Sequence, residues 1–137
     1  MELKNAMAVS VSGLKAQEMR VRVISENIAN AESVATTPGG DPYRRKLVEF
    51  SNQLDRASGV DKVEIKRVIR DSGDFQQRYD PNHPAADANG YVKMPNVERF
   101  IEMMDLKEAQ RSYSANLEAL ESSRNMLRET INILSPQ

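Results

Sequence analysis

Apolar residues in the last third of the chain fall on one helical stripe. Counting in sevens from Leu106 lands on Tyr113, Leu120, Leu127 and Leu134, and Met103, Leu117 and Ile131 fill the positions between. This alternating three-and-four spacing predicts a long helix over Asn96–Leu134 with a coiled-coil-like seam. Asn96 follows Pro95 and is a candidate N-cap, while Pro136 is positioned to stop the run. Gln110 and Arg124 interrupt the stripe and would be costly in a dry two-helix core, so they are expected in a wetter part of a many-helix packing. At 1.5 Å per residue the element would be roughly 55 Å long, too long for a domain of this size to cover alone.

A second stripe occupies the other end of the chain. Met7, Leu14, Val21 and Ile28 are spaced by sevens, with Val11 and Ile24 on the same side, predicting a helix from Leu3 to about Glu32. Ala6, Ala8, Ser10, Ser12, Gly13 and Ala16 would let a neighbouring helix come close. A lone pair of such helices would leave its outer faces poorly covered, which favours bundling with other chains over a closed two-helix hairpin.

The stretch between them is polar and turn-rich. Thr36–Pro42 holds two glycines and two prolines and can continue neither helix nor strand. The strand candidates are Tyr43–Phe50, Val60–Ile69 and Phe75–Tyr79; Asp80–Asp87 is an irregular proline-bearing segment, and Tyr91–Pro95 leads into the last helix. Three regions follow, residues 1–32, 33–96 and 97–137. The expected fold is α+β and mainly α: two long terminal helices bundling with neighbouring subunits, and a small β-containing domain inserted between them.

Composition narrows the chemistry. Of 137 residues only 39% are hydrophobic and 5% aromatic, so one large core is not expected. The net charge is -1 and no basic face stands out, which argues against nucleic acid or an anionic membrane as the partner. There is no cysteine, and no stretch reads as a cleaved signal or a membrane span. Gly39-Gly40 is followed by no Gly-Lys-Ser/Thr, so no phosphate loop is expected. His83 is the one histidine; with Asp80 and Asp87 it makes a poor metal set, and it lacks the partners of a general base, so no cofactor, metal or catalytic residue is assigned.

Several motifs then occur in order. Asn27-Ile28-Ala29-Asn30-Ala31 ends the N-terminal heptads, and Arg111-Ser112-Tyr113-Ser114-Ala115-Asn116 lies inside the C-terminal ones; together they resemble the bacterial flagellar axial proteins of rod and hook. Gly39–Lys46, Asp80–Asp87 and Gly90–Val97 narrow the resemblance to the proximal rod. It implies a structural subunit passed out by the flagellar type III export apparatus without a cleaved signal. It also implies the rod subunits FlgB and FlgF and the adaptor FliE as neighbours in the basal body, where the rod crosses the periplasm and transmits torque. No small-molecule substrate is implied.

The expected assembly interface comprises Met7, Val11, Leu14, Val21, Ile24 and Ile28 with Leu106, Arg111, Tyr113, Leu117, Leu120, Leu127, Ile131 and Leu134. Asn27, Asn30 and Asn116, carried over from the family motifs, would add directional hydrogen bonds that set register. The competing reading is a soluble helical adaptor that docks through the same heptads without polymerising; an enzyme comes a distant third.

Overall fold

The computed structural model describes residues 2–135, and they form two long helices with short antiparallel β-structure between them in the chain. Helix α1 spans Glu2–Ala29 and helix α2 spans Arg99–Leu134, roughly 42 and 54 Å long at the standard rise. They run antiparallel. The Asn27 side chain meets that of Glu102, while Gly13 lies against Asn116, so position on one helix rises as position on the other falls.

On the α2 side the contact between the helices is made by small and polar residues. On α1, Ser10, Gly13, Ala16, Val23, Ile24 and Asn27 are buried; on α2, Glu102, Ala109 and Ser123 are. Glu102, Ala109, Asn116 and Ser123 repeat every seven residues, a heptad position without one large apolar side chain. A Cβ on Gly13 would sit 2.7 Å from Asn116 Oδ1, closer than atoms can stand, so the bare glycine backbone is what allows this approach. The expected stripe of Leu106, Tyr113, Leu120 and Leu127 flanks this contact instead of filling it.

Strands β1 (Lys46–Asp55) and β2 (Val60–Arg70) form an antiparallel hairpin, with a bulge between Glu49 and Phe50. Its turn is closed by Asp55, whose carbonyl accepts from Ser58 N and Gly59 N while its Oδ1 accepts from Ala57 N; Gly59 takes φ 69°. The hairpin lies along α1. Val63 N–H donates to Ser12 Oγ at 3.3 Å, and Asn5 Nδ2 donates to the Ser58 carbonyl at 3.5 Å. No residue of β1 or β2 is fully buried, so the hairpin is covered by α1 rather than by a core of its own.

Strands β3 (Gln76–Tyr79) and β4 (Tyr91–Met94) pair with each other in a second, separate sheet. The Tyr91–Met94 stretch expected as a lead-in is therefore a strand. It has a structural reason to be one, since Val92 is fully buried with Ala31, Ala85, Pro95 and Val97 close to that degree. Asn96 does not cap α2. The helix begins at Arg99, Glu98 provides no side-chain cap, and the Asn96 side chain is committed elsewhere. The stop expected at Pro136 lies outside the described residues. No helix among the described residues is long and apolar enough to cross a membrane.

Candidate assembly surface and the polar knot behind it

Where the ends of α1, β1 and α2 converge, a knot of polar side chains holds them. The Asn27 amide is 1% exposed and uses all four of its hydrogen-bonding positions. Its Nδ2 donates to the Lys46 carbonyl at 2.8 Å and to Glu102 Oε2 at 3.2 Å; its Oδ1 accepts from Tyr43 OH and from Lys46 N, both at 2.9 Å. Burial pushes the Tyr43 hydroxyl above its usual range, and Glu26 and Glu102 add to this while the Lys46 charge opposes it.

Glu102, also 1% exposed, is answered by Arg45. The guanidinium Nε donates to Glu102 Oε1, with Asp71 at 3.2 Å and Asp105 at 3.7 Å as further partners. Burial disfavours the Arg45 charge, but the hydrogen bonds and charges of Glu102 and Asp71 outweigh it and hold the group above its ordinary value. Asp71 is held below the usual carboxylate range by the Gly73 backbone N–H and then by Arg45 and Arg44. Arg44 donates to the carbonyls of Asp71 and Gly73 and lies 4.1 Å from the centroid of the Phe75 ring. Asn96 closes the circuit, accepting from Arg45 N at 2.8 Å and donating to the carbonyls of Asp71 and Gly73. Through Asn27 and Glu102 this circuit ties both terminal helices to the intervening chain.

Outside the knot, several large apolar side chains of α2 lie open to solvent. Of the expected interface residues, Ile24 and Asn27 are buried, and Met7, Leu14, Val21, Ile28, Asn30, Leu106, Asn116 and Leu120 are half-buried. Val11, Arg111, Leu127, Ile131 and Leu134 are exposed, as are Gln110 and Arg124. Tyr113, Leu117 and Leu127 stand 38–39% exposed and form the flank of the helix pair. The asparagines are used within the chain. Asn30 Nδ2 donates to the Glu26 carbonyl and its Oδ1 accepts from Ser33 Oγ, closing the end of α1; Asn116 Nδ2 donates to the Ser112 carbonyl.

Sequence reasoning missed Ala109 and Ser123, because a contact made by small residues carries no hydrophobic signal. It also missed Glu102 and Arg45, whose only signal was a glutamate at the repeat position seven before Ala109. His83 Nδ1 accepts from Ala85 N at 3.0 Å within its own loop, and no group of three potential metal ligands occurs among the described residues.

Helix α2 thus carries an exposed apolar flank while it is locked to α1 and to a β-hairpin at one end. Comparison with known proteins gives the class. Residues 7–34, within and just beyond α1, match the family model described as "Flagella basal body rod protein", and residues 88–133, covering β4 and α2, match "Flagellar basal body rod FlgEFG protein C-terminal". These are the two terminal segments of a flagellar rod protein. The chain is 52% identical over 132 residues to the flagellar basal-body rod protein FlgC of Agrobacterium fabrum, covering 96% of this chain and 95% of the relative. It is 43% identical to the FlgC of Salmonella typhimurium (97% and 98% covered) and 35% identical to that of Bacillus subtilis (94% and 96%). The chain belongs to the FlgC family of flagellar basal-body rod proteins.

Proposed function

We propose that this protein is a structural subunit of the proximal rod of the flagellar basal body, polymerising through its terminal helices into the shaft that transmits torque. The observation that carries this reading is the division of labour on α2. Small and polar residues make the contact with α1, and the large apolar side chains Tyr113, Leu117, Leu127 and Ile131 are left outside, 38–53% exposed. A monomer gains little from that arrangement, whereas a bundle of subunits would bury the flank at about 25 cal/mol per Å² of apolar surface. The subunit would be exported without a cleaved signal, meet FlgB, FlgF and FliE in the rod, and perform no catalysis. Its three regions would divide the work, with residues 1–32 and 97–137 packing lengthwise and residues 33–96 facing outward.

The test compares Leu120→Asp with Glu121→Ala in a strain lacking its own copy, scoring export, rod completion and motility. Leu120 is half-buried on the same stripe as Tyr113 and Leu127, so a charge there costs several kcal/mol once neighbours close over it. Loss of rods with Leu120→Asp, and normal rods with Glu121→Ala, are expected. Motile cells with both variants would favour the adaptor that docks without polymerising.

A further inference from the structure

Asn89-Gly90 is the one Asn-Gly pair in the sequence, and it stands directly before β4 at the end of the proline-bearing loop. An asparagine followed by glycine is the dipeptide most open to deamidation, because no Cβ hinders attack of the glycine nitrogen on the asparagine Cγ. A larger following residue would suppress the reaction, but this turn does not admit one. Gly90 is buried with φ 83°, and a Cβ on it would sit 2.9 Å from Tyr79 Cε2 and 3.1 Å from Pro81 Cβ. The turn therefore requires the residue that makes its neighbour labile, while Asn89 itself is exposed.

The same turn holds the pair out of its reactive geometry. Gly90 N–H donates to the Asp87 carbonyl at 3.0 Å, closing a four-residue turn, and no described residue other than glycine has positive φ, which makes the turn type I with Asn89 third. At that place ψ is about 0°, roughly 120° from the rotation that brings the Gly90 nitrogen under Cβ and within reach of Cγ. Asp87 fixes the rotation. Its Oδ1 accepts from Asn89 N at 2.9 Å and from Tyr91 N at 3.0 Å, and its own N–H donates to the Tyr91 carbonyl at 2.9 Å. The Gly90 carbonyl accepts from Asp80 N at 2.9 Å. Turning Asn89 into the reactive rotation breaks these bonds together, and the Gly90 proton that must leave is held in the first of them.

We propose that Asn89 is a deamidation site masked by the folded turn and released when β3 and β4 part. The inference stands on the turn and is independent of the rod reading. Gly90 N gives up its proton and bonds Cγ, the Cγ–Nδ2 bond breaks, and ammonia leaves with that proton. Water then opens the five-membered imide at either carbonyl. One opening leaves aspartate; the other leaves isoaspartate, with the main chain running through Cβ and one carbon longer. The added atom displaces Tyr91 from its pairing with Tyr79 and Gly90 N–H from the Asp87 carbonyl. A chain modified while open does not regain this sheet, so the loss is one-way.

The test incubates the purified full chain, folded and in guanidinium chloride, at one mildly alkaline pH. Trypsin releases Tyr79–Lys93, which carries Asn82 as an internal reference beside Asn89. Mass spectrometry should find conversion at Asn89 well ahead of Asn82 in denaturant, with isoaspartate the major product, and conversion about tenfold or more slower in the folded chain. Asp87→Ala should react several-fold faster than wild type when folded and no faster in denaturant, with circular dichroism verifying that it keeps its helices. Equal wild-type rates in the folded chain and in denaturant overturn the proposal. So does a helix-retaining Asp87→Ala that reacts no faster than wild type, and so does conversion in denaturant that does not favour Asn89 over Asn82. If Asp87→Ala loses its helices, the wild-type comparison decides.

Discussion

Removing Glu102 tests how the terminal helices are held to the rest of the chain. In Glu102→Ala the Arg45 guanidinium loses its most buried partner, and Asn27 loses one of two acceptors. A charge-assisted hydrogen bond contributes about 1.5–3 kcal/mol, and stranding a fully buried charge costs about 3–5 kcal/mol. The lower range applies here, because the Arg45 side chain is 18% exposed and keeps Asp71 and Asp105. The expected loss is about 2–3 kcal/mol. Arg45→Ala should cost more, about 3–5 kcal/mol, since it leaves a carboxylate at 1% exposure without its cation. The double variant should fall well short of the sum, as the two act through one pair. Urea unfolding followed by far-ultraviolet circular dichroism and by the summed fluorescence of the four tyrosines, Tyr43 in the knot among them, measures all three. A Glu102→Ala stability equivalent to wild type within about 0.5 kcal/mol would refute the knot as the tie between helices and hairpin.

Gly13→Ala should reverse sign with its neighbour. Alanine gains about 1 kcal/mol of helix propensity, but its Cβ would stand 2.7 Å from Asn116 Oδ1, so it should destabilise the wild-type chain and stabilise Asn116→Ala by about 1 kcal/mol; equal effects in both backgrounds would contradict the close contact. Stability should fall in acid. The carboxyl of Asp55 is lowered to about 2 by the Lys62 hydrogen bond and then by Ala57 N–H, and that of Asp71 is lowered as well. Both contribute stability above the ordinary aspartate range that is lost as pH falls through their folded-state values, so the unfolded chain takes up protons first. Urea midpoints measured from pH 6 to pH 2 should drop below about pH 4, and less steeply in Asp55→Asn.

The heptads located both helices to within a few residues, because a periodic apolar stripe reports the period of the backbone directly. They did not tell what covers the stripe. Close packing of α1 on α2 selects residues for smallness, so Gly13, Ala16, Ala109 and Ser123 carry the contact, and of these only Gly13 and Ala16 drew notice as sites of close approach. The β2 alternation was legible, and β1 runs on to Asp55 past its expected end at Phe50. The four residues of β4 were too few to show a period. Asn96 illustrates the limit of local signals. It has the chemistry of a cap, but Arg45 N and the carbonyls of Asp71 and Gly73, brought near by the fold, compete for the same amide and win. The knot was invisible for the same reason, since Asn27, Arg45, Asp71 and Glu102 are distant in sequence and each is unremarkable alone.

The central claim is that the outer flank of α2 becomes an interior surface in the rod. Single cysteines placed at Tyr113, Leu117, Leu127 or Ile131, with Ser122→Cys on the opposite side of the helix as the reference, can be labelled with a maleimide in the free subunit and in isolated basal bodies. The account predicts that the four flank positions label readily in the free chain and are protected about tenfold or more in rods, relative to the reference. Flank cysteines that react in assembled rods as fast as in the free chain would contradict it.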